Sequence, residues 1–248
     1  MIALLAAVPK ETELLRRWLS PCEVRSCGRR DLLRGSMFGQ SVALLHSGVG
    51  KANAASALTS LLESSRFTLV LGIGCGGAYP GSGLAVGDLA LASEEIYGDE
   101  GVLAPDGFLD MQELGFPLVQ RNGTRLYNRF PVDPKLLEKV RPVLESFAAG
   151  SGCQLRLGPF VTVSTGSGTD AAAQELAGRT GGICENMEGA ALAQVCALQT
   201  TPFLSLRGIS NPTGNRDLAA WDLVRGVETA QLAVRALFNG WNEPQERA

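Results

Sequence analysis

The sequence predicts a single three-layer α/β domain over residues 1–248, with a central mixed, mostly parallel sheet flanked by helices. Three observations carry this reading. Six apolar runs of strand length alternate with five stretches of helical pattern. The runs set Val, Leu and Ile nearly side by side, as strands buried on both faces do. A chain of 248 residues, 45% of them hydrophobic, suits one large domain better than two small ones.

The first run, "IALLAAV", begins at residue 2 and meets Pro9, Lys10 and Glu11 at once. It lacks a charged leading segment and a cleavage pattern, so a buried first strand is expected rather than a signal peptide. Pro9 suits a first helical turn, and residues 9–19 follow a helical pattern. "SVALLHSG" is the next strand, and a helical pattern covers 51–65. "FTLVLGIG" and "DLALASEEIY" are the following strands. Residues 98–131, rich in Gly, Pro, Asn and Asp, form a long excursion from the sheet, and such segments are often functional. Asp133-Pro134 opens a helix over 134–148. "FVTVS", a helix over 187–199, the strand "PFLSLRGIS" and a helix over 217–240 complete the alternation. The tail, residues 242–248, is expected to fray.

Bulk properties exclude several function classes. A net charge of −3 leaves no basic footprint for nucleic acid. No apolar run reaches membrane-spanning length. Six scattered cysteines without a C-x-x-C pair read as reduced and mostly buried, in a cytoplasmic protein. His46 is the only histidine, so a His-rich metal site or a Ser-His-Asp triad has nothing to build on.

Gly72, Gly74 and Gly77 satisfy G-x-G-x-x-G directly after a strand. In a dinucleotide site the third glycine opens a helix whose N-terminus holds the pyrophosphate. Here Gly77 runs into "AYPGSGLAVGD", where Pro80, Gly81 and Gly83 oppose a helix. The glycines are instead read as a backbone that lets a ligand approach closely, with a plain tight turn as the alternative.

Three further segments place polar groups where a core has no use for them. Glu11 stands at the junction of the first strand and helix, as a site carboxylate or as ordinary solvated charge. Glu188, in "ENMEGAALAQVC", sits at the start of the apolar face of Met187, Ala190, Ala191 and Val195, as a site anion or as a capping acid. Ser210-Asn211-Pro212 ends a strand at the edge where α/β folds bind ligands.

Taken together, "AAVPKETELL", "HSGVGKANAA", "GIGCGGAYPGSGLAVGDLALASEEIYGDEGV", "ENMEGAALAQVC" and "RGISNPTGNRDLAAWD" resemble the nucleoside phosphorylase and nucleosidase superfamily. The resemblance is nearest the methylthioadenosine/S-adenosylhomocysteine nucleosidase branch and, within it, the futalosine hydrolases. It implies a nucleoside phosphorylase-like fold and an enzyme that hydrolyses the N-ribosidic bond of futalosine, releasing hypoxanthine, in menaquinone biosynthesis. It implies no metal or organic cofactor, a small-molecule nucleoside as partner, and a homo-oligomer, whether dimer or tetramer. By the same resemblance Glu11 activates the water, and Glu188 binds the ribose hydroxyls with Met187 beside the sugar. Arg207 and Ser210 order the water and the acidic group. Gly74, Cys75 and Gly76 form the backbone loop beside ribose and base. Trp221 covers the base, and Thr169 or its neighbours touch the purine edge.

One departure bears on the substrate. Adenine-releasing relatives carry aspartate where this chain has Asn211, which cannot donate a full proton but can donate a hydrogen bond to N7 or a 6-carbonyl. A mismatch of one buried hydrogen bond costs about 1–3 kcal/mol, so Asn211 favours a 6-oxopurine. The far, benzoate end of such a substrate needs a donor, and Arg216 is placed there ahead of Arg121, Arg125 and Arg129. Three alternatives stay open: an adenine nucleosidase, opposed by Asn211; a phosphorylase, opposed by "TLVLGIG", which lacks an arginine before the glycine loop; and a non-catalytic nucleoside binder, opposed by the retained Glu11 and Glu188.

Overall fold

Residues 1–121 and 123–241 are described by a computed structural model. The expected fraying of 242–248 lies outside the described residues. The chain opens with β1 (Ile2–Ala6), a 3-10 turn (Pro9–Thr12) and α1 (Glu13–Trp18). Next come β2 (Glu23–Cys27), β3 (Arg30–Met37), β4 (Gln40–His46) and α2 (Lys51–Ser64). β5 (Leu69–Ala78) and β6 (Leu89–Tyr97) follow. The segment after them carries β7 (Gly101–Ala104), β8 (Gly107–Asp110), β9 (Val119–Arg121), β10 (Thr124–Leu126) and β11 (Arg129–Pro131). The last part holds α3 (Pro134–Ser151), β12 (Leu155–Thr162), α4 (Asp170–Thr180) and β13 (Cys184–Asn186). α5 (Gly189–Gln199), β14 (Phe203–Pro212), a 3-10 turn (Leu218–Ala220) and α6 (Leu223–Trp241) complete it.

The sheet is mixed, as the sequence predicts. β1 lies parallel between β4 and β5, with Leu4 opposite Leu44 and Leu71. β5 is long enough to serve two neighbours along one edge. Leu69–Gly72 pair with β1, and Gly77 and Ala78 pair with β13. Its other edge is paired throughout by β14. β14 also pairs β6, β6 pairs β12, and β12 pairs β13, so five strands close a ring. Alternation along β1 divides the core into two layers. Ile2, Leu4 and Ala6 share a cluster with Val140, Leu144, Val234 and Phe238 of α3 and α6. Ala3 and Leu5 share another with Leu58 and Leu61 of α2 and Leu192 and Val195 of α5. The layers are therefore helix, sheet, helix.

The structure adds elements that periodicity hides. β2 and β3 form a hairpin whose turn residues, Gly28 and Arg29, both have left-handed backbone, φ +55° and +61°. Their charged, exposed faces mask the strand pattern, as is common where an edge must resist pairing. α4 is a polar surface helix with only Ala173, Leu176 and Thr180 buried. The helix expected from 187 starts at Gly189, because Cys184–Asn186 is strand and Met187-Glu188 is the turn between them. Residues 9–19 and 217–240 each divide into a 3-10 turn and a shorter helix. The 98–131 segment folds into two small ribbons, β7–β8 and β9–β10, and returns to the sheet at β11. All six thiols are free, but only Cys27, Cys184 and Cys196 are buried, fewer than expected. No helix among the described residues is long and apolar enough to cross a membrane.

Candidate active site

The site assembles where β1, β5 and β14 end. Pro9 starts the 3-10 turn immediately after β1, and the tight turn folds Glu11 back over the strand end. Glu11 Oε2 accepts from the backbone N–H of Ala7 at 2.8 Å and of Val8 at 3.3 Å. Its Oε1 accepts from the Cys75 N–H at 3.1 Å. The residue is only 7% exposed, so the ordinary solvated reading of Glu11 is wrong. Burial and the adjacent Glu11 push the Cys75 thiol up to about 11, and the protonated sulfur lies 3.7 Å from Glu11 Oε1. A cavity of about 600 Å³ opens beside Glu11 and Cys75, walled by Val8, Leu14, Val224 and Val227.

Gly74 explains part of the glycine pattern. A Cβ there would collide with Glu11 Oε1 and lie 2.5 Å from Arg207 Nη1. The missing side chain thus admits the carboxylate and the guanidinium to one spot. Gly76 likewise makes room for Cys184 and Arg207.

Glu188 is the N-cap residue of α5, yet its side chain makes no cap hydrogen bond. The capping alternative therefore fails. Its Oε1 instead accepts from the Gly50 N–H at 2.9 Å, and Oε2 lies 3.9 Å from Arg207 Nη2. Arg207 is 1% exposed. Burial disfavours its charge, but the carboxylates of Glu188, Glu11 and Glu95 outweigh that and hold the guanidinium as a cation. Burial, reinforced by the like charge of Glu11, raises the pKa of Glu188 against the opposing pull of Arg207 and the Gly50 N–H. The site thus gathers several acidic groups around one buried cation, an environment suited to positive charge developing on a ligand.

A polar node beneath the Met187-Glu188 turn was not foreseen from the sequence. Asn186 Oδ1 accepts from the N–H of Glu188 at 3.1 Å and of Gly189 at 2.7 Å. Asn186 Nδ2 donates to Glu95 Oε2 at 3.0 Å, and Thr162 Oγ1 lies 3.2 Å from the same oxygen. Glu95 is fully buried and its pKa is raised by that burial, against the opposing influence of Arg207. Gly189 is required above it, since a Cβ would strike both carboxylate oxygens. The available signal was the acid pair Glu94-Glu95 within the strand "LALASEEIY".

Asn211 reaches the site through a bulge. β14 pairs Arg207 with Gly74 and Ile209 with Gly76, but Asn211 with Gly77, so Ser210 is the extra residue. Ser210 Oγ lies 2.7 Å from Asn211 Oδ1 and 3.3 Å from the Gly76 carbonyl. Asn211 Nδ2 donates to the Pro212 carbonyl at 3.0 Å. On the other side of Gly77 stands Glu185, paired with it in the β13–β5 ladder. The buried Tyr79 hydroxyl donates to Glu185 Oε2 at 2.9 Å, and Ser167 donates its N–H to Oε1 at 2.9 Å and its hydroxyl to Oε2. Sequence reading passed over Glu185, Tyr79 and Ser167.

The remaining candidates stand further out. Thr169 is exposed and caps α4, accepting from the Ala172 N–H at 3.2 Å. The next residue, Asp170, ties that corner to Asn215. Arg216 lies over the Trp221 ring at 5.1 Å, and neither contacts the carboxylates. The loop that carries them is pinned by the Asp222 N–H on the Ser210 carbonyl at 2.8 Å. Arg121 is bonded to the Leu198 carbonyl, and Arg129 to Glu94 and the Thr180 carbonyl. His46 ends β4 and contacts Thr12 Oγ1 at 2.7 Å.

Comparison with known proteins finds similarity along most of the chain. The family described as the phosphorylase superfamily matches residues 1–239. The chain is 37% identical over 203 residues to a futalosine hydrolase of Thermus thermophilus, covering 81% of this chain and 82% of the relative. It is 30% identical to a 5'-methylthioadenosine/S-adenosylhomocysteine nucleosidase of Geobacillus kaustophilus, over 92% of this chain and 90% of the relative. The nucleosidase of Neisseria meningitidis, solved with methylthio-immucillin-A, superposes with a TM-score of 0.82 at 25% identity, covering 96% of this chain and 98% of that one.

Proposed function

The chain belongs to the phosphorylase superfamily, and on that premise we propose that it is an N-glycosyl hydrolase that cleaves futalosine to dehypoxanthine futalosine and hypoxanthine. The observation that carries this reading is the 37% identity to a futalosine hydrolase over four-fifths of both chains. The product's further use in menaquinone biosynthesis follows from that reading.

The residue roles follow from the chemistry. Water attacks the anomeric carbon and gives its proton to Glu11, whose carboxylate is held by three backbone N–H groups. The C–N bond breaks, its electron pair leaves with the base, positive charge builds on the ribose, and the departing base takes up a proton from solvent as Glu11 gives its own back, which yields neutral hypoxanthine. Glu188 stabilises that charge, and Arg207, 3.9 Å from its Oε2, keeps that carboxylate in place. Met187 packs beside the sugar, and Gly74, Cys75 and Gly76 form the backbone wall. Asn211 donates an amide hydrogen bond to N7 or O6, and Ser210 orients it. Trp221 covers the base, Thr169 lies at its edge, and Arg216 takes the benzoate carboxylate.

Phosphorolysis is disfavoured because "TLVLGIG" brings no arginine ahead of the glycine loop. Free thiols at all six cysteines support a cytoplasmic location. Leu103 and Phe116, 84% and 66% exposed, support burial of the 98–131 segment against a second copy in a homo-oligomer. The test is purified enzyme with futalosine, inosine and methylthioadenosine in phosphate-free buffer, with the released base identified. Hypoxanthine from futalosine without added phosphate is expected. Adenine from methylthioadenosine as the dominant product would overturn the assignment.

A further inference from the structure

We propose that Glu95 is a positioning residue for the reaction: its carboxyl orients the Asn186 amide so that Asn186, and not Glu188, caps α5, which leaves the Glu188 side chain free for the ribose. The inference rests on the hydrolase reading above and concerns a fully buried acid to which that reading gives no part.

The sheet brings the parts together. Glu95 of β6 stands opposite Phe160 of β12, and Thr162, two residues further on, stands opposite Asn186 of β13. With a side-chain period of two, the three polar residues share one face across three strands. The start of α5 lies directly against them, so close that a Cβ on Gly189 would strike both Glu95 oxygens.

The first turn of a helix leaves backbone N–H groups without partners inside the helix. At α5 this node takes three of them. Asn186 Oδ1 accepts from Glu188 at 3.1 Å and from Gly189 at 2.7 Å, and Thr162 Oγ1 accepts from Ala190 at 2.7 Å. An amide has one oxygen for this task and a nitrogen that would fail at it. The partner on the far side points the oxygen at the helix: Asn186 Nδ2 donates to Glu95 Oε2 at 3.0 Å. Glu188 occupies the capping position, but its side chain is relieved of the cap. It accepts instead from the Gly50 N–H at 2.9 Å and sets Oε2 3.9 Å from Arg207 Nη2.

Packing alone does not explain the acid. Glu95 Oε1, the Ser205 hydroxyl and Arg207 Nε are buried and have no hydrogen-bond partner among the described residues. An apolar side chain of similar volume at position 95 would avoid burying a carboxyl among them. The plain alternative is that Glu95 serves only as a counter-charge to Arg207, whose cationic form it favours.

The test measures kcat, KM and thermal unfolding for Glu95→Gln, Glu95→Leu and Asn186→Ala, each also in a Glu188→Gln background. Glu95→Leu removes the acceptor and should lower kcat by about 10²-fold with a smaller change in KM, as misplacing a group by about 1 Å does. Glu95→Gln keeps an oxygen for Asn186 and loses the charge, so it should recover most of that rate. In the Glu188→Gln background Glu95→Leu should cost little more, because the group it positions is already gone. Asn186→Ala cuts the same chain one link on and carries the same expectations, also where Glu95→Leu does not fold. Glu95→Gln as slow as Glu95→Leu would make Glu95 a counter-charge. Full kcat in Glu95→Leu or Asn186→Ala, or an undiminished loss in the Glu188→Gln background, would make the node merely structural. Any of these results overturns the proposal. Failure of the unaltered enzyme to cleave futalosine counts against the hydrolase reading alone, and the variants are then compared on the nucleoside it does cleave.

Discussion

The Ser210 hydroxyl lies 2.7 Å from Asn211 Oδ1, and the Asn211 amide nitrogen donates the opposite way, to the Pro212 carbonyl at 3.0 Å. This pair sets the polarity of the Asn211 side chain. An aspartate in its place would keep the Ser210 bond and turn its second oxygen toward another acceptor, the Pro212 carbonyl.

Asn211→Asp should therefore shift preference from hypoxanthine toward adenine as the leaving base. The expected change in the ratio of kcat/KM for futalosine and its 6-amino analogue is about tenfold or more. An unchanged ratio would remove Asn211 from base recognition.

Glu11→Gln should lower kcat by about 10²- to 10⁴-fold. Three N–H donors converge on the two carboxylate oxygens, so the glutamine NH₂ must face one of them. A stability loss of about 1–3 kcal/mol is expected beside the kinetic effect. Rescue of Glu11→Ala by added formate separates the two. Restored turnover identifies a missing base, and no restoration at any formate concentration counts against that role.

Gly74→Ala should impair catalysis more than folding. The new Cβ displaces Glu11 Oε1 and Arg207 Nη1, and shifts of about 1 Å near the reacting atoms cost on the order of 10²-fold. Steady-state kinetics set against thermal unfolding would show this, and a variant with normal kcat would refute it.

Glu95 makes stability depend on pH. Burial raises its pKa in the folded protein, whereas the unfolded chain titrates near about 4.3. Above that value the folded state retains a proton the unfolded state has lost, so stability falls as pH rises toward the folded pKa. Glu95→Gln removes that dependence. Its melting temperature should decline less than that of the unaltered protein between pH 5 and pH 8, and parallel declines would show that Glu95 does not hold the proton.

Much of the architecture was legible because it depends on local period. Apolar runs such as "IALLAAV" and "FTLVLGIG" identify buried strands, and Pro9 and Asp133-Pro134 mark helix starts. The β2–β3 hairpin and α4 were missed because their sequences are polar, and a surface element gives little period to read. Within the site, Glu11 and Glu188 stood out as acids beside apolar runs. Glu95 was passed over although it is equally anomalous, because nothing local shows what faces it.

The sequence by itself determined the chemistry available: which carboxylates, which amide, and which positions lack a side chain. Tertiary structure decided which of them meet. Glu188 finds the Gly50 N–H across 138 residues, a contact no local pattern encodes. Asn211 would share the face of Arg207 and Ile209 by simple alternation, and only the extra residue at Ser210 turns it toward Gly77 and Glu185. The reason is physical: side-chain period belongs to one strand, whereas the register between strands belongs to the folded sheet.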